Sequence, residues 1–212
     1  MVYMGKERAC SVPCVHITDC LDGFAEIKAP DCPAVIWQRA LDPAVQNWLD
    51  QLSTAHLPKA RVIIRPDDIR PTVEEICDAS GTPDCPQRQR WIEDVVGLAG
   101  TFVALTSAPY LRLRLDVVTT NACKKFHIDY LTARMICTYR GRGTQYGYAH
   151  EGAAPEEIFH VPTGAPLLMR GRHWPNTPTS TLKHRSPPIE GTGETRLVLV
   201  FDPVDQLPQE KP

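Results

Sequence analysis

The sequence predicts an α+β fold, in which a helical N-terminal half leads into an all-β C-terminal half. The second half has room for about eight short strands, enough for a jelly-roll-like barrel. Two observations carry this. Upstream of Pro109, apolar residues recur at helical spacing; downstream they alternate with polar ones, as in half-buried strands. In addition, 20 scattered prolines point to many short elements joined by rigid turns.

Taken in order, residues 1–33 are rich in cysteine and proline and read as an irregular lead-in. Ala34 to Arg39 (AVIWQR) is a short buried strand. Asp42-Pro43 supplies an N-cap and an N1 proline, and Val45, Trp48, Leu49 and Leu52 follow at helical spacing, so 43–54 is an amphipathic helix. Ala60 to Arg65 (ARVIIR) is a strand. Thr72-Val73-Glu74-Glu75 has capping-box form and opens a short helix to about Ser80. Gly81 to Pro86 is a loop, and from Gln87 the set Trp91, Val95, Leu98, Phe102 and Leu105 marks one face of a longer helix.

Past Pro109, Leu111-Arg112-Leu113-Arg114-Leu115-Asp116-Val117 alternates strictly. Strand-like pieces continue through Lys124–Tyr146, Ile158–Val161, Pro166–Arg170 and Thr195–Phe201, separated by Gly, Pro, Thr and Asn. The polar tail from Asp205 reads as frayed. No repeat is visible. The chain reads as a single domain over 1–212, with 34–109 as mainly helical support, 110–203 as the β-barrel core and 204–212 as the tail.

A formal charge of -2 gives no electrostatic reason to expect nucleic acid or an anionic membrane as partner. The N-terminus has charges but no apolar stretch behind them, and no apolar run approaches the roughly 20 residues of a membrane span. A cytoplasmic protein is expected. The eight cysteines (Cys10, Cys14, Cys20, Cys32, Cys77, Cys85, Cys123, Cys137) form no CxxC pair, so they read as free thiols, several of them small core hydrophobes.

The chemistry concentrates in KKFHIDYLTARMICTYRGRGTQY, Lys124 to Tyr146. On a strand, residues two apart share a face, so His127 and Asp129 would converge on one point. The candidate third ligand is His184. Two imidazoles and a carboxylate occupy one face of a metal and leave other positions open, which suits non-haem Fe(II) binding a co-substrate and O₂. Arg196, opening the last strand, could grip a carboxylate such as that of 2-oxoglutarate. His150, His160 and His173 read as solvated loop residues, each a substitute for His184 should the strand register differ. For Arg134 and Thr144, packing and turn roles are weighed above pocket roles.

H-x-D, a strand, a Gly-Thr turn, a G-x-P-L-L-M strand, a distal His and then Arg opening R-L-V-L-V-F resemble the 2-oxoglutarate/Fe(II) dioxygenases over roughly residues 110–203. Within that stretch, FHIDY…RMICTYRGRGTQY with HRSPP…RLVLVFDP is similar to an uncharacterised bacterial domain-of-unknown-function family. The resemblance implies a double-stranded β-helix (cupin-like) core, Fe(II) on His127, Asp129 and His184, and 2-oxoglutarate on Arg196. Tyr139 is the candidate second contact to the co-substrate, on position alone. The superfamily often has serine two residues after the arginine; here that residue is Val198.

Two function classes follow. One is an Fe(II)/2-oxoglutarate-dependent oxygenase, a hydroxylase acting on a small molecule or a protein side chain. The other is a cupin-like protein that binds zinc or another divalent metal without oxygenase activity. A cupin-type metal hydrolase or isomerase is a third reading.

Overall fold

In the computed structural model, which describes residues 14–176 and 180–207, side-chain alternation decides the layers. The elements run β1 (His16–Thr18), β2 (Ala34–Trp37), α1 (Pro43–Gln51), β3 (Ala60–Ile64), α2 (Ile69–Ala79), α3 (Pro86–Thr106), β4 (Tyr110–Val118), β5 (Ala133–Arg140), β6 (Gln145–Tyr148), β7 (Phe159–His160), β8 (Pro166–Arg170), β9 (Leu182–Arg185) and β10 (Arg196–Val204). Seven strands form one sheet in the order β1-β2-β8-β5-β10-β4-β3, and β7-β6-β9 form a second. β10 runs antiparallel between β4 and β5.

On β10, Leu197, Leu199 and Phe201 join the core shared with the helices, as do Met135, Cys137 and Tyr139 of β5 and Leu111, Leu113 and Leu115 of β4. The opposite parity packs toward the small sheet: Val198, Val200 and Ile136 cluster with Tyr146, Leu182 and Val161. A one-residue slip of β10 would exchange the two sets. Burial of each such side chain is worth about 1.5–3 kcal/mol, so the register is strongly fixed. The order of layers is helices, large sheet, small sheet.

Helix α1 starts where its cap predicts, with Asp42 accepting from the Ala44 N–H at 2.7 Å. Helix α2 begins at Ile69 rather than at Thr72. Pro71 falls within its first turn, where a missing N–H costs no intrahelical bond. Among the described residues, no helix is long and apolar enough to cross a membrane.

The sheet draws on the N-terminal half more than the sequence pattern suggests. β2 and β3 lie within 34–109, the stretch read as mainly helical, yet both belong to the large sheet. The lead-in is also structured from residue 14: β1 pairs parallel with β2, and a 3₁₀ turn over Leu21–Lys28 buries Phe24 and Ile27. Arg170 of β8 fixes that turn, donating to the carbonyls of Ile27 (3.0 and 2.7 Å), Ala29 (2.5 Å) and Pro30 (3.1 Å). Cys10 and the tail beyond residue 207 lie outside the described residues. Burial pushes the Cys77 and Cys137 thiols up to about 11 and about 12, consistent with inert core positions.

Candidate metal centre

His184 lies on β9, while His127 and Asp129 precede β5. The latter two are not on a regular strand. His127 forms a single isolated bridge with His184, each backbone N–H donating to the other's carbonyl at 3.0 Å. This bridge extends the small sheet by one residue, because Tyr146 of β6 pairs with the other edge of β9 at His184. Asp129 is held instead by segment 171–173: Arg172 N–H donates to the Asp129 carbonyl at 2.8 Å, and His173 N–H to that of Leu131 at 3.1 Å. Only a glycine permits this approach, since a Cβ on Gly171 would lie 2.0 Å from the Leu131 carbonyl oxygen and 2.9 Å from that of Asp129.

Ligand atoms of His127, Asp129 and His184 all lie within 4.8 Å of one another, the one group of its kind among the described residues. Asp129 Oδ2 is 3.3 Å from His184 Nε2, and Oδ1 is 3.5 Å from His127 Nε2. His127 Nδ1 lies 2.9 Å from the Lys125 carbonyl, which fixes that nitrogen as a donor and leaves Nε2, facing Asp129, as the atom a metal could take. Burial lowers the His184 imidazole to about 4. The Asp129 carboxylate raises His127, against the cost of burial. Burial alone would raise Asp129, but His127, His184 and Arg134 together lower it.

Arg134, for which the sequence weighs packing above a pocket role, has both: it is held between two aspartates and lines the cavity beside His127. Its Nη1 donates to Asp129 Oδ1 at 2.5 Å, while Nε and Nη2 clamp the two oxygens of Asp202 at 2.6 and 2.9 Å. Asp202, on β10, is 2% exposed. A period-two reading holds the signal: Arg196, Val198, Val200 and Asp202 share one parity and therefore one face.

Arg196 is 1% exposed. Its Nε donates to the Arg142 carbonyl at 2.6 Å and its Nη2 to Thr138 Oγ1 at 3.3 Å, while its buried Nη1 has no hydrogen-bond partner. Burial lowers its guanidinium to about 10. Tyr139 is not brought to the site. Its parity turns it to the helices, where it packs edge-on against Trp91 and its hydroxyl donates to Asp94 Oδ2 at 2.6 Å. His150, His160 and His173 are exposed and stand outside the triad.

Two cavities meet at His127. One, of about 100 Å³ between the sheets, is lined by His127, His184, Arg134, Thr144, Val198 and Arg114 among others. Thr144, expected in a turn role, is thus a wall residue, whereas Arg196 does not reach this wall. The other, of about 490 Å³, opens on the opposite side of the pair and includes Phe126, His127, Tyr130, Arg172 and Lys183.

The fold is similar to that of a solved oxygenase structure. The dioxygenase for auxin oxidation 1 from Arabidopsis thaliana, in its binary complex with 2-oxoglutarate, superposes with TM-score 0.52 at 10% identity, over 92% of this chain and 93% of that one. The rice dioxygenase for auxin oxidation gives 0.47 at 14%, over 91% and 83%. An oxidoreductase of the 2OG-Fe(II) oxygenase family from Burkholderia pseudomallei gives 0.42 at 15%, over 91% and 97%. At such identity the first likeness shows the fold alone. No curated protein matches the chain. The chain belongs to the family described as protein of unknown function (DUF1826), whose model matches residues 18–202.

Proposed function

We propose that this protein is a non-haem Fe(II)/2-oxoglutarate-dependent oxygenase, a hydroxylase, built on a double-stranded β-helix whose two sheets are the large and small sheets described above. The observation that carries the proposal is the convergence of His127 and Asp129 with the sequence-distant His184 within 4.8 Å. The donor set fits: two imidazole nitrogens and one carboxylate suit Fe(II) and leave coordination positions open. When bound, the iron and 2-oxoglutarate supply the oxidising power; the chain supplies binding and orientation.

Each residue then has a definite task. His184, with its imidazole depressed to about 4, is neutral at physiological pH and presents a lone pair. His127 is oriented by the Lys125 carbonyl. Arg134 fixes the rotamer of Asp129 while leaving Oδ2 toward His184. Arg196 supports the co-substrate reading because its guanidinium is buried, with Nη1 unbonded and no ion-pair contact among the described residues.

The experiment is anaerobic titration of the Fe(II)-loaded protein with 2-oxoglutarate, followed by admission of O₂ and assay of succinate. Binding and turnover are expected, and Arg196→Ala should weaken 2-oxoglutarate affinity by more than tenfold. Arg114→Ala, altering a cavity residue whose Nε makes no hydrogen bond among the described residues and lies 3.8 Å from Asp116 Oδ2, is the comparison. Loss on Arg114→Ala alone reassigns the anchor. Metal uptake with neither binding nor turnover sinks the oxygenase reading and supports a zinc-binding protein instead.

A further inference from the structure

The larger cavity lies beside His127 on the side away from the inter-sheet space, and its wall has a chemistry of its own. Phe126, Ile128 and Tyr130 give it apolar and planar surface, with Tyr130 74% exposed. Its basic groups are Arg172 and Lys183, and its acidic one is Glu151. The Lys183 ammonium, 7% exposed, donates to the carbonyls of His150 at 2.7 Å and Ala153 at 2.6 Å, so two of its three donors are engaged.

Arg172 is held differently. Its backbone is tied to Asp129, which sets its distance from the triad, and its guanidinium stacks over Tyr130 with Cζ 5.0 Å from the ring centroid. Its Nε is buried without a hydrogen-bond partner. Its one ion-pair contact among the described residues is Glu151 at 3.5 Å, a carboxylate whose side chain is 88% exposed. A long contact to a solvated carboxylate is easily exchanged for a better one. A guanidinium of fixed backbone, stacked on an aromatic ring and short of partners, is a carboxylate fork. The cavity, at about 490 Å³, is the size that encloses a small organic molecule.

We infer that this cavity is the substrate site and takes a small organic carboxylate with a planar apolar body, its carboxylate displacing Glu151 from Arg172. The carboxylate would sit against Arg172, the planar part between Phe126 and Tyr130, and the far end beside His127. That assignment of purpose rests on the oxygenase reading, but the binding preference does not require metal.

The test uses the metal-free protein, so that failure here and failure of the oxygenase reading are told apart. 3-Phenylpropanoate, 3-phenylpropanamide and 3-phenylpropylammonium are titrated by calorimetry. The carboxylate should bind at least tenfold more tightly than the amide, and the amine not at all. Arg172→Gln should bring carboxylate and amide within twofold of each other. Glu151→Gln, which removes the competing carboxylate, should tighten carboxylate binding at least twofold, a gain that misfolding cannot produce. Equal binding of acid and amide, no binding of either, an intact preference in Arg172→Gln, or no gain in Glu151→Gln overturns the inference.

Discussion

A single guanidinium, that of Arg134, joins the Asp129 carboxylate to a buried aspartate on the central strand, and its removal separates two effects. Arg134→Met leaves Asp202 as an uncompensated buried charge, a loss of about 3–5 kcal/mol in stability. It also frees Asp129 to rotate, which should cost about 10–100-fold in metal affinity, as loss of a supporting contact to a ligand commonly does. Adding Asp202→Asn should restore much of the denaturation midpoint without restoring metal affinity. If both recover together, Arg134 is a structural salt bridge only. At this scale the meeting of His127, Asp129 and His184 was legible from residue type and order, although not by the strand geometry expected around His127. Tyr139 was not, since its face depends on the parity of β5, and Met135 and Cys137 share that parity against the helices. The pairing of Arg134 with Asp202 was not legible, because it spans two strands and leaves no short motif.

Among the elements, the connection that matters most is the extended stretch 129–132 lying against 171–173. Gly171→Ala would push a methyl into the carbonyls of Leu131 and Asp129. Backbone cannot yield as a flexible side chain does, so segment 171–173 must move away and take Arg172 with it. The expected outcome is a loss of about 2 kcal/mol or more in urea denaturation, with strain of the order seen for overpacking, and metal binding weakened beyond that of an Ala substitution on the surface. Unchanged metal affinity in a folded Gly171→Ala protein would show that Asp129 is positioned by Arg134 alone. β4, with its clean alternation, and β8, a short apolar run, were readable from the sequence to within a residue or so. The strand expected around His127 was not there, because its only sheet-like partner is one residue of β9. β1 was missed because it is three residues long and defined by its pairing with β2, and the 3₁₀ turn because its end is held by Arg170, far along the chain.

For the molecule as a whole, acid sensitivity follows from the buried imidazole. His184 is depressed from 6.5 to about 4, so between those values the unfolded chain takes up a proton that the folded one refuses. Metal-free protein should therefore lose up to roughly 3 kcal/mol as pH falls from about 6.5 to about 4. Asp129, lowered in the fold, adds to the loss at still lower pH. His127 is raised, and its contribution has the opposite sign, present at low pH and lost as pH rises. Equilibrium denaturation at a series of pH values, compared with His184→Phe, should show the slope flatten in the variant; the same slope in both would remove His184 as its cause. The helical support and β-rich core were visible from period alone, but the recruitment of β1, β2 and β3 into the large sheet was not, since sheet order is a non-local property.

The position of β10 has a consequence for synthesis. It is the last strand of the large sheet to leave the ribosome, and it is the one on which both β4 and β5 close. Until residues 196–204 emerge, the nascent chain exposes two naked strand edges and the apolar faces on either side of the missing strand. Assembly of the sheet, and with it the anchoring of Arg134 by Asp202, is therefore a late event, and until then the protein depends on whatever shields such edges in the cell.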